Sequence, residues 1–130
     1  MTSRFEFEPV PAAVRTARSA VLRDPALADL TDGTKHDLAL ITSELVTNAV
    51  AATHPLPAPI VVEVLRERSI VTIIVSNSGR LRVDDTTFDL PAAEEPRGRG
   101  LGIVATLARA VEMTNTNGMT TVRAVVETES

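Results

Sequence analysis

The sequence predicts an α+β fold, a two-layer arrangement with an antiparallel or mixed sheet that has its helices on one face. The segments follow in the order strand, two helices, hairpin, long loop, helix and hairpin. The runs "IVVEVLRE" and "SIVTIIVS" are rich in β-branched residues and are separated by a short turn, as in a hairpin. The helical segments each carry one apolar stripe, which must be buried against a neighbouring layer.

The first elements are a short strand and a helix. Phe5 and Phe7 alternate with charged residues, and the prolines that follow close the strand. Apolar residues recur at helical spacing from Ala12 to Leu22, and "LADLTDGTK" then predicts a turn.

A second helix is expected to begin near Thr34 and to end at about Ala52. Thr34 stands three residues before Asp37, which resembles a capping box. The segment "THPLPAP" ends the helix because its prolines supply no backbone donors.

The second half begins with the two β-branched strands. The following stretch, "NSGRLRVDDTTFDLPAAEEPRGRG", has little periodicity and is long for a connection in a compact domain, so residues from about 80 to 97 are predicted to form a lid over a functional site. A short helix, "LGIVATLARA", and a hairpin turning at Asn117-Gly118 complete the chain.

Composition excludes several classes of protein. The formal net charge is −4 and the pI is about 5.1, which argues against a nucleic-acid-binding surface. There is no Cys for a disulfide or zinc site, the N-terminus lacks the apolar run of a signal peptide, and no apolar run is long enough to span a bilayer. The chain is therefore expected to be one cytoplasmic domain, residues 1–130.

Glu44 and Asn48 lie together at the edge of the apolar stripe of the second helix. They are either an incidental i,i+4 pair on a solvated edge or an oxygen-ligand pair. An amide carbonyl suits Mg²⁺, and a nearby carboxylate can take a proton. The stripe consists of Leu38, Ile41, Leu45, Ala49 and Ala52.

Two further motifs each have an ordinary structural interpretation and a functional one. In "VSNSGRL" a predicted strand ends at Asn77. Gly79 either forms part of an ordinary turn or lets a base approach the backbone closely. In the second case, Asn77 could present an acceptor and donors to the edge of the base. In "RGRGLGIV" three glycines run into a helix, which is either a flexible hinge or an anion site at a helix N-terminus. The glycine spacing matches neither a Rossmann fingerprint nor a Walker A motif.

Together these motifs resemble the ATP-binding domain of the gyrase, histidine-kinase and mismatch-repair ATPase superfamily, which has the Bergerat fold. "ELVTNAV" is similar to its N box, "NSG" to its first glycine box, "GRGLGIV" to the second and "NGMTTVRA" to the final Gly/Thr segment. The opening "FEFEPVPAAVRTARSAV" and "LALITSELVTNAV" most resemble the anti-sigma-factor serine kinases and related small regulatory ATPases. The resemblance covers nearly the whole chain.

The resemblance implies ATP and Mg²⁺ as cofactors and a role for each matched residue. Asn48 would bind the Mg²⁺ that bridges the phosphates, and Glu44 would be the base toward an attacking serine. Asn77 would face the adenine amino group, with Gly79 under the ring, and Thr120 or Thr121 would stand near the adenine. The residues implied at the phosphates, two of them arginines that compensate charge, are Arg97, Gly98, Arg99, Gly100, Leu101 and Gly102.

The sequence departs from the family pattern at two places. Asn77 stands where relatives usually have Asp, and Leu81 where they have a second Gly. Ala51 and Ala52 stand where relatives commonly have a basic residue and His. Asn77 can still accept from the adenine amino group but lacks charge. These departures put catalysis in doubt more than fold.

Three functions remain open at this point. The first is an anti-sigma factor that binds a sigma factor and phosphorylates a serine of an antagonist protein. The second is a nucleotide-gated binding module of the same fold with little or no kinase activity. The third, the catalytic domain of a histidine kinase, is disfavoured because no phosphoacceptor hairpin precedes the domain. The resemblance also implies a homodimer through the sheet edge, the first strand and the first helix.

Overall fold

The computed structural model of the chain describes residues 1–52, 58–78, 87–89, 99–116 and 118–128, with the backbone alone at 87–89 and 99–101. Six strands form one sheet in the order β1-β2-β3-β6-β5-β4, and each neighbouring pair is antiparallel. The strands are β1 (Thr2–Phe7), β2 (Ile60–Glu67), β3 (Ile70–Asn77), β4 (Thr87–Asp89), β5 (Ala110–Thr116) and β6 (Met119–Glu127). The helices are α1 (Ala12–Leu22), α2 (Asp32–Ala52) and α3 (Arg99–Leu107), with a 3-10 turn at Pro25–Leu27.

The predicted α+β fold is confirmed, with the helices on one face of the sheet. Alternate residues of each strand point toward the helices. Across three central strands, Val75 of β3 pairs with Val122 of β6, which pairs with Met113 of β5. All three belong to one buried cluster with the apolar stripe of α2. The opposite face of the same strands carries charged residues such as Arg123 and Glu112.

Helix α2 lies at the centre of the helical layer and contacts α1, α3 and three strands. Its predicted stripe is confirmed, because Leu38, Ile41, Leu45 and Ala49 are buried. Thr42 and Ser43 are buried as well, and their hydroxyls donate to Leu38 O and Ala39 O, one turn back along the helix, at 2.8 and 3.0 Å. The helix is therefore covered on more than one side.

The start of α2 differs from the sequence prediction. The helix begins at Asp32, two residues before Thr34, and its cap is Thr31. The Thr31 hydroxyl oxygen accepts from the backbone N–H of Thr34 at 3.1 Å and donates to the Thr34 hydroxyl at 2.9 Å. Thr34 therefore occupies the third helical position instead of the cap, because a threonine three residues earlier satisfies its free N–H group.

Two other boundaries also differ from the predictions. The loop predicted between β3 and α3 contains the short strand β4, which pairs with β5 and is too short for period-two alternation to reveal. Helix α3 begins at Arg99 instead of Leu101 and ends at Leu107. The remainder of the predicted lid, Asn117 of the last turn, and His54 lie outside the described residues. None of the described helices is long and apolar enough to cross a membrane.

An arginine of β2 ties the sheet to the segment between α1 and α2. The Arg66 guanidinium donates to Ala26 O at 3.0 Å and makes a two-pronged contact with the Asp29 carboxylate. This hydrogen bonding holds the pKa of Asp29 below its usual value. Because the pKa of Asp29 is lower in the folded state, its interaction with Arg66 contributes to stability above the ordinary pKa of an aspartate. This contribution is lost as the pH falls through the folded-state pKa.

Replacing the cap of α2 tests the observed helix start. Thr31→Ala removes the oxygen that accepts from Thr34 N–H, and we expect it to lower the free energy of unfolding by about 1 kcal/mol. Thr34→Ala keeps that N–H and its acceptor, so we expect a smaller loss. Urea unfolding of the two variants measures the difference. A larger loss in Thr34→Ala would place the cap at Thr34 instead.

Candidate functional site

A cavity of about 220 Å³ lies between the C-terminal half of α2 and the core face of the sheet. It exists because the stripe of α2 changes from large to small residues along the helix. Leu38 and Leu45 fill the space over the sheet, whereas Ala49 and Ala52 leave room beneath the last turns. The described residues that line the cavity are Leu45, Asn48, Ala49, Ala51, Ala52, Val75, Asn77, Met113, Thr120 and Val122.

A row of polar side chains crosses three strands at this end of the sheet. Asn77 ends β3 and pairs with Thr120 of β6, which pairs with Asn115 of β5. Their side chains face the helical layer and are 4%, 2% and 1% exposed. Asn77 and Thr120 line the cavity directly. Asn115 was not singled out in the sequence, although the alternation of β5 places it on the core face with Val111 and Met113.

Two amide nitrogens in the cavity wall lack partners. Nδ2 of Asn48 and Nδ2 of Asn77 are buried, and neither forms a hydrogen bond with the described part of the chain. Buried polar groups are nearly always hydrogen-bonded, and each unpaired one costs about 1–3 kcal/mol. Both amides line the same cavity, one from α2 and one from β3. The site therefore suits a ligand that brings acceptors to two sides.

Glu44 lies one helical turn before Asn48 on α2. Its side chain is half-buried, and it does not line the cavity. It forms no ion pair with any residue for which the structure gives side chains. The i,i+4 spacing places Glu44 and Asn48 on one side of the helix. The carboxylate therefore lies one helical turn from the cavity-lining Asn48 and has no ion-pair partner among the described side chains.

The Gly-rich segment is partly helical. Arg99, Gly100 and Leu101 form the first turn of α3, and the Gly102 carbonyl accepts from the Thr106 hydroxyl at 2.9 Å. The first N–H groups of a helix have no partner within it and attract anions. Of the other residues that the sequence predicted for the site, Gly79, Arg97 and Gly98 lie outside the described segments.

The sheet register separates the two threonines that the sequence left as alternatives. Thr120 faces the cavity, whereas Thr121 lies on the opposite face of β6. There its hydroxyl is 3.2 Å from that of Ser76, its partner on β3. Only Thr120 can therefore contact a ligand held beneath α2.

A metal ion at this site would need a bound molecule to supply most of its ligand atoms. The described residues contain no group of three or more His, Cys, Asp or Glu side chains that could hold a metal ion. The Asn48 amide could supply one oxygen to Mg²⁺, which commonly takes its remaining ligands from phosphates and water. The donor set of the described residues fits a magnesium ion that arrives with a phosphorylated compound.

Comparison with known proteins agrees with this geometry. The model of the histidine kinase-like ATPase domain family matches residues 7–126, and the chain belongs to that family. Twelve solved chains match in fold. One is the crystal structure of the RsbU and RsbW domains of Rv1364c from Mycobacterium tuberculosis, with a TM-score of 0.76 and 18% sequence identity. That match covers 98% of this chain and 32% of the other, so the chain spans about a third of the length of that solved chain. No functionally curated protein matches the chain.

The unpaired amide of Asn77 predicts that this side chain serves a ligand at the expense of stability. Asn77→Leu replaces an unpaired buried donor with an apolar group of similar size, and we expect the ligand-free chain to gain about 1 kcal/mol in free energy of unfolding. Chemical unfolding without nucleotide measures this gain.

Thr42→Val is the matched control for that variant. It also replaces a buried polar side chain with an apolar one, but the Thr42 hydroxyl is hydrogen-bonded, so we expect a loss of stability. If Asn77→Leu lost stability to the same extent as Thr42→Val, Asn77 would be a structural residue.

Proposed function

We propose that the chain binds ATP with Mg²⁺ in the cavity beneath α2. The observation that carries the proposal is the pair of buried amide nitrogens, Nδ2 of Asn48 and Nδ2 of Asn77, which have no partner among the described residues and lie on two walls of one cavity, in a protein of the histidine kinase-like ATPase family. Asn77 and Thr120 would contact the base, and the Asn48 amide would offer its oxygen to Mg²⁺ and its N–H groups to a phosphate oxygen.

The size of the cavity supports binding of the base alone at this place. At about 220 Å³ it is smaller than the roughly 300–1,000 Å³ of pockets that enclose a complete drug-sized ligand. Its apolar lining, from Leu45, Val75, Met113 and Val122, suits the faces of a planar ring. The phosphates would extend toward the first turn of α3, which packs beside α2. Arg97, Gly98, Arg99 and Gly100 are the residues proposed to contact them.

We further propose that the site phosphorylates a serine of a partner protein. When bound, ATP supplies the phosphoryl group and Mg²⁺ compensates its charge. Glu44 would accept the proton of the serine hydroxyl, because its carboxylate stands beside the cavity without an ion-pair partner among the described side chains. The protein contributes mainly positioning in such a transfer, so a sparse set of residues is sufficient.

The proposed partners follow from the resemblance to anti-sigma-factor kinases. They are a sigma factor and an antagonist protein that carries the target serine, met in the cytoplasm, and the chain would form a homodimer through β1 and α1. The match in fold to a structure that contains an RsbW domain supports this assignment.

One specific observation favours a second candidate function. The side chains of the last turn of α2 at the cavity are Ala51 and Ala52, so this wall brings no cationic or proton-transferring group to the phosphates. A nucleotide-gated binding module that holds its partner without phosphorylating it would need none.

Nucleotide binding is the first test. We expect calorimetry with the folded chain to show saturable binding of ATP and ADP that strengthens when Mg²⁺ is added, because Asn48 supplies only one of the oxygens around the cation. Absence of saturable binding at millimolar nucleotide would refute the proposed function and leave the fold assignment untouched.

Substitutions on α2 separate the kinase from the binding module. Glu44→Gln removes a proton acceptor that does not line the cavity, so ATP affinity should stay within a few-fold while transfer to an antagonist serine falls by about a hundredfold or more. Asn48→Ala should instead weaken the Mg²⁺-dependent part of ATP binding. Calorimetry and transfer of labelled phosphate measure the two effects.

Glu63→Gln is the matched control, since Glu63 is a half-buried carboxylate on the sheet face away from the helices. It should leave both measurements unchanged. A wild-type chain that binds ATP and its partner but transfers no phosphate, with Glu44→Gln indistinguishable from it, would favour the binding module.

A further inference from the structure

The described residues at the end of the cavity near Asn77, where the base is proposed to bind, are uncharged. Asn77, which ends β3, is 4% exposed, lines the cavity and has an amide nitrogen without a partner in the described part of the chain. Its cross-strand neighbour Thr120 is equally buried and also lines the cavity. None of the described residues that line the cavity has a titratable side chain. A ligand edge that enters here therefore meets an amide and a hydroxyl instead of a carboxylate.

We infer that this site accepts nucleotides of 6-oxopurines, such as hypoxanthine, about as well as those of the 6-aminopurine adenine. The inference rests on the proposed function and names the class of nucleotide that the site takes. The selectivity is assigned to Asn77, whose side chain can both accept and donate along the edge of the ring that carries position 6.

The reason lies in the hydrogen-bonding capacity of the side chain. Adenine presents a donor at its 6-amino group and an acceptor at N1, and an amide matches both with its oxygen and its nitrogen. A 6-oxopurine presents the reverse pair, an acceptor at O6 and a donor at N1. Rotation of the Asn77 amide by half a turn about its last side-chain bond exchanges its oxygen and nitrogen, so the same side chain matches this edge too.

A carboxylate at the same position would discriminate between the two edges. An ionised Asp only accepts hydrogen bonds, so it can bind the 6-amino group of adenine. Facing a 6-oxopurine, its carboxylate oxygen would oppose O6, which is also an acceptor. Buried sites reject ligands strongly when such groups are left opposed or unpaired.

The cross-strand neighbour of Asn77, Thr120, places no charge beside the amide, and a hydroxyl group has both a donor and acceptor lone pairs. Among the cavity-lining residues that the structure describes, no side chain is charged, so none of them favours one orientation of the Asn77 amide over the other.

The experiment compares ATP with inosine triphosphate, which presents a 6-oxopurine edge without the additional amino group of guanine. Dissociation constants are measured by calorimetry with Mg²⁺ at neutral pH. For the wild-type chain we expect the two values to lie within about tenfold of each other. For Asn77→Asp we expect inosine triphosphate to bind about a hundredfold or more weaker than ATP.

Two further variants complete the test. Asn77→Ala removes both contacts, so both nucleotides should weaken by similar factors, and this variant carries the test if Asn77→Asp does not fold. Ser76→Ala lies on the same strand but on the opposite sheet face, and it should leave both affinities unchanged.

The outcomes separate this inference from the proposed function. If the wild-type chain binds ATP but binds inosine triphosphate more than about tenfold weaker, the inference is wrong and the proposed function stands. The same conclusion follows if Asn77→Ala leaves both affinities unchanged. If the wild-type chain binds neither nucleotide, both the proposed function and the inference are wrong.

Discussion

The packing of α2 on the core face of β3 and β6 is the contact on which the rest of the structure depends. The leucines and the isoleucine of α2 fill the space above the central strands, and α1 and α3 both pack against α2. Because the stripe changes from Leu45 to Ala49 and Ala52 toward the C-terminal end, the same contact that forms the core leaves a cavity at one end of it. The core and the candidate site are therefore two parts of a single interface.

The chemistry of the site follows from the polar groups that this interface buries without a hydrogen-bond partner among the described residues. The buried amide nitrogens of Asn48 on α2 and Asn77 on β3 cost stability unless an acceptor pairs with them, and the described residues supply none. A ligand that pairs with both would recover that cost on binding. Glu44 is one turn before Asn48 on the same helix and does not line the cavity. In the proposed kinase reaction, nucleotide binding and phosphoryl transfer would therefore depend on different residues of one helix.

Much of the fold could be predicted from the sequence because its signals are local. Helical spacing from Ala12 to Leu22 predicted α1 with its observed bounds, and the β-branched runs and Gly118 placed both hairpins. The start of α2 and the strand β4 were missed. Two threonines compete for the cap, and three residues are too few for alternation to be recognised.

By itself the sequence predicted the family, the stripe of α2, and Asn48 and Asn77 as separate candidate site residues, since motif order and spacing along the chain carry that information. Only the tertiary structure decided which side chains meet across the sheet. It brings Thr120 to the cavity, turns Thr121 away from it and sets Asn115 beside Thr120. The physical reason is strand register: a shift of one residue moves every side chain of a strand to the other face, and register is fixed by pairing between strands distant in sequence.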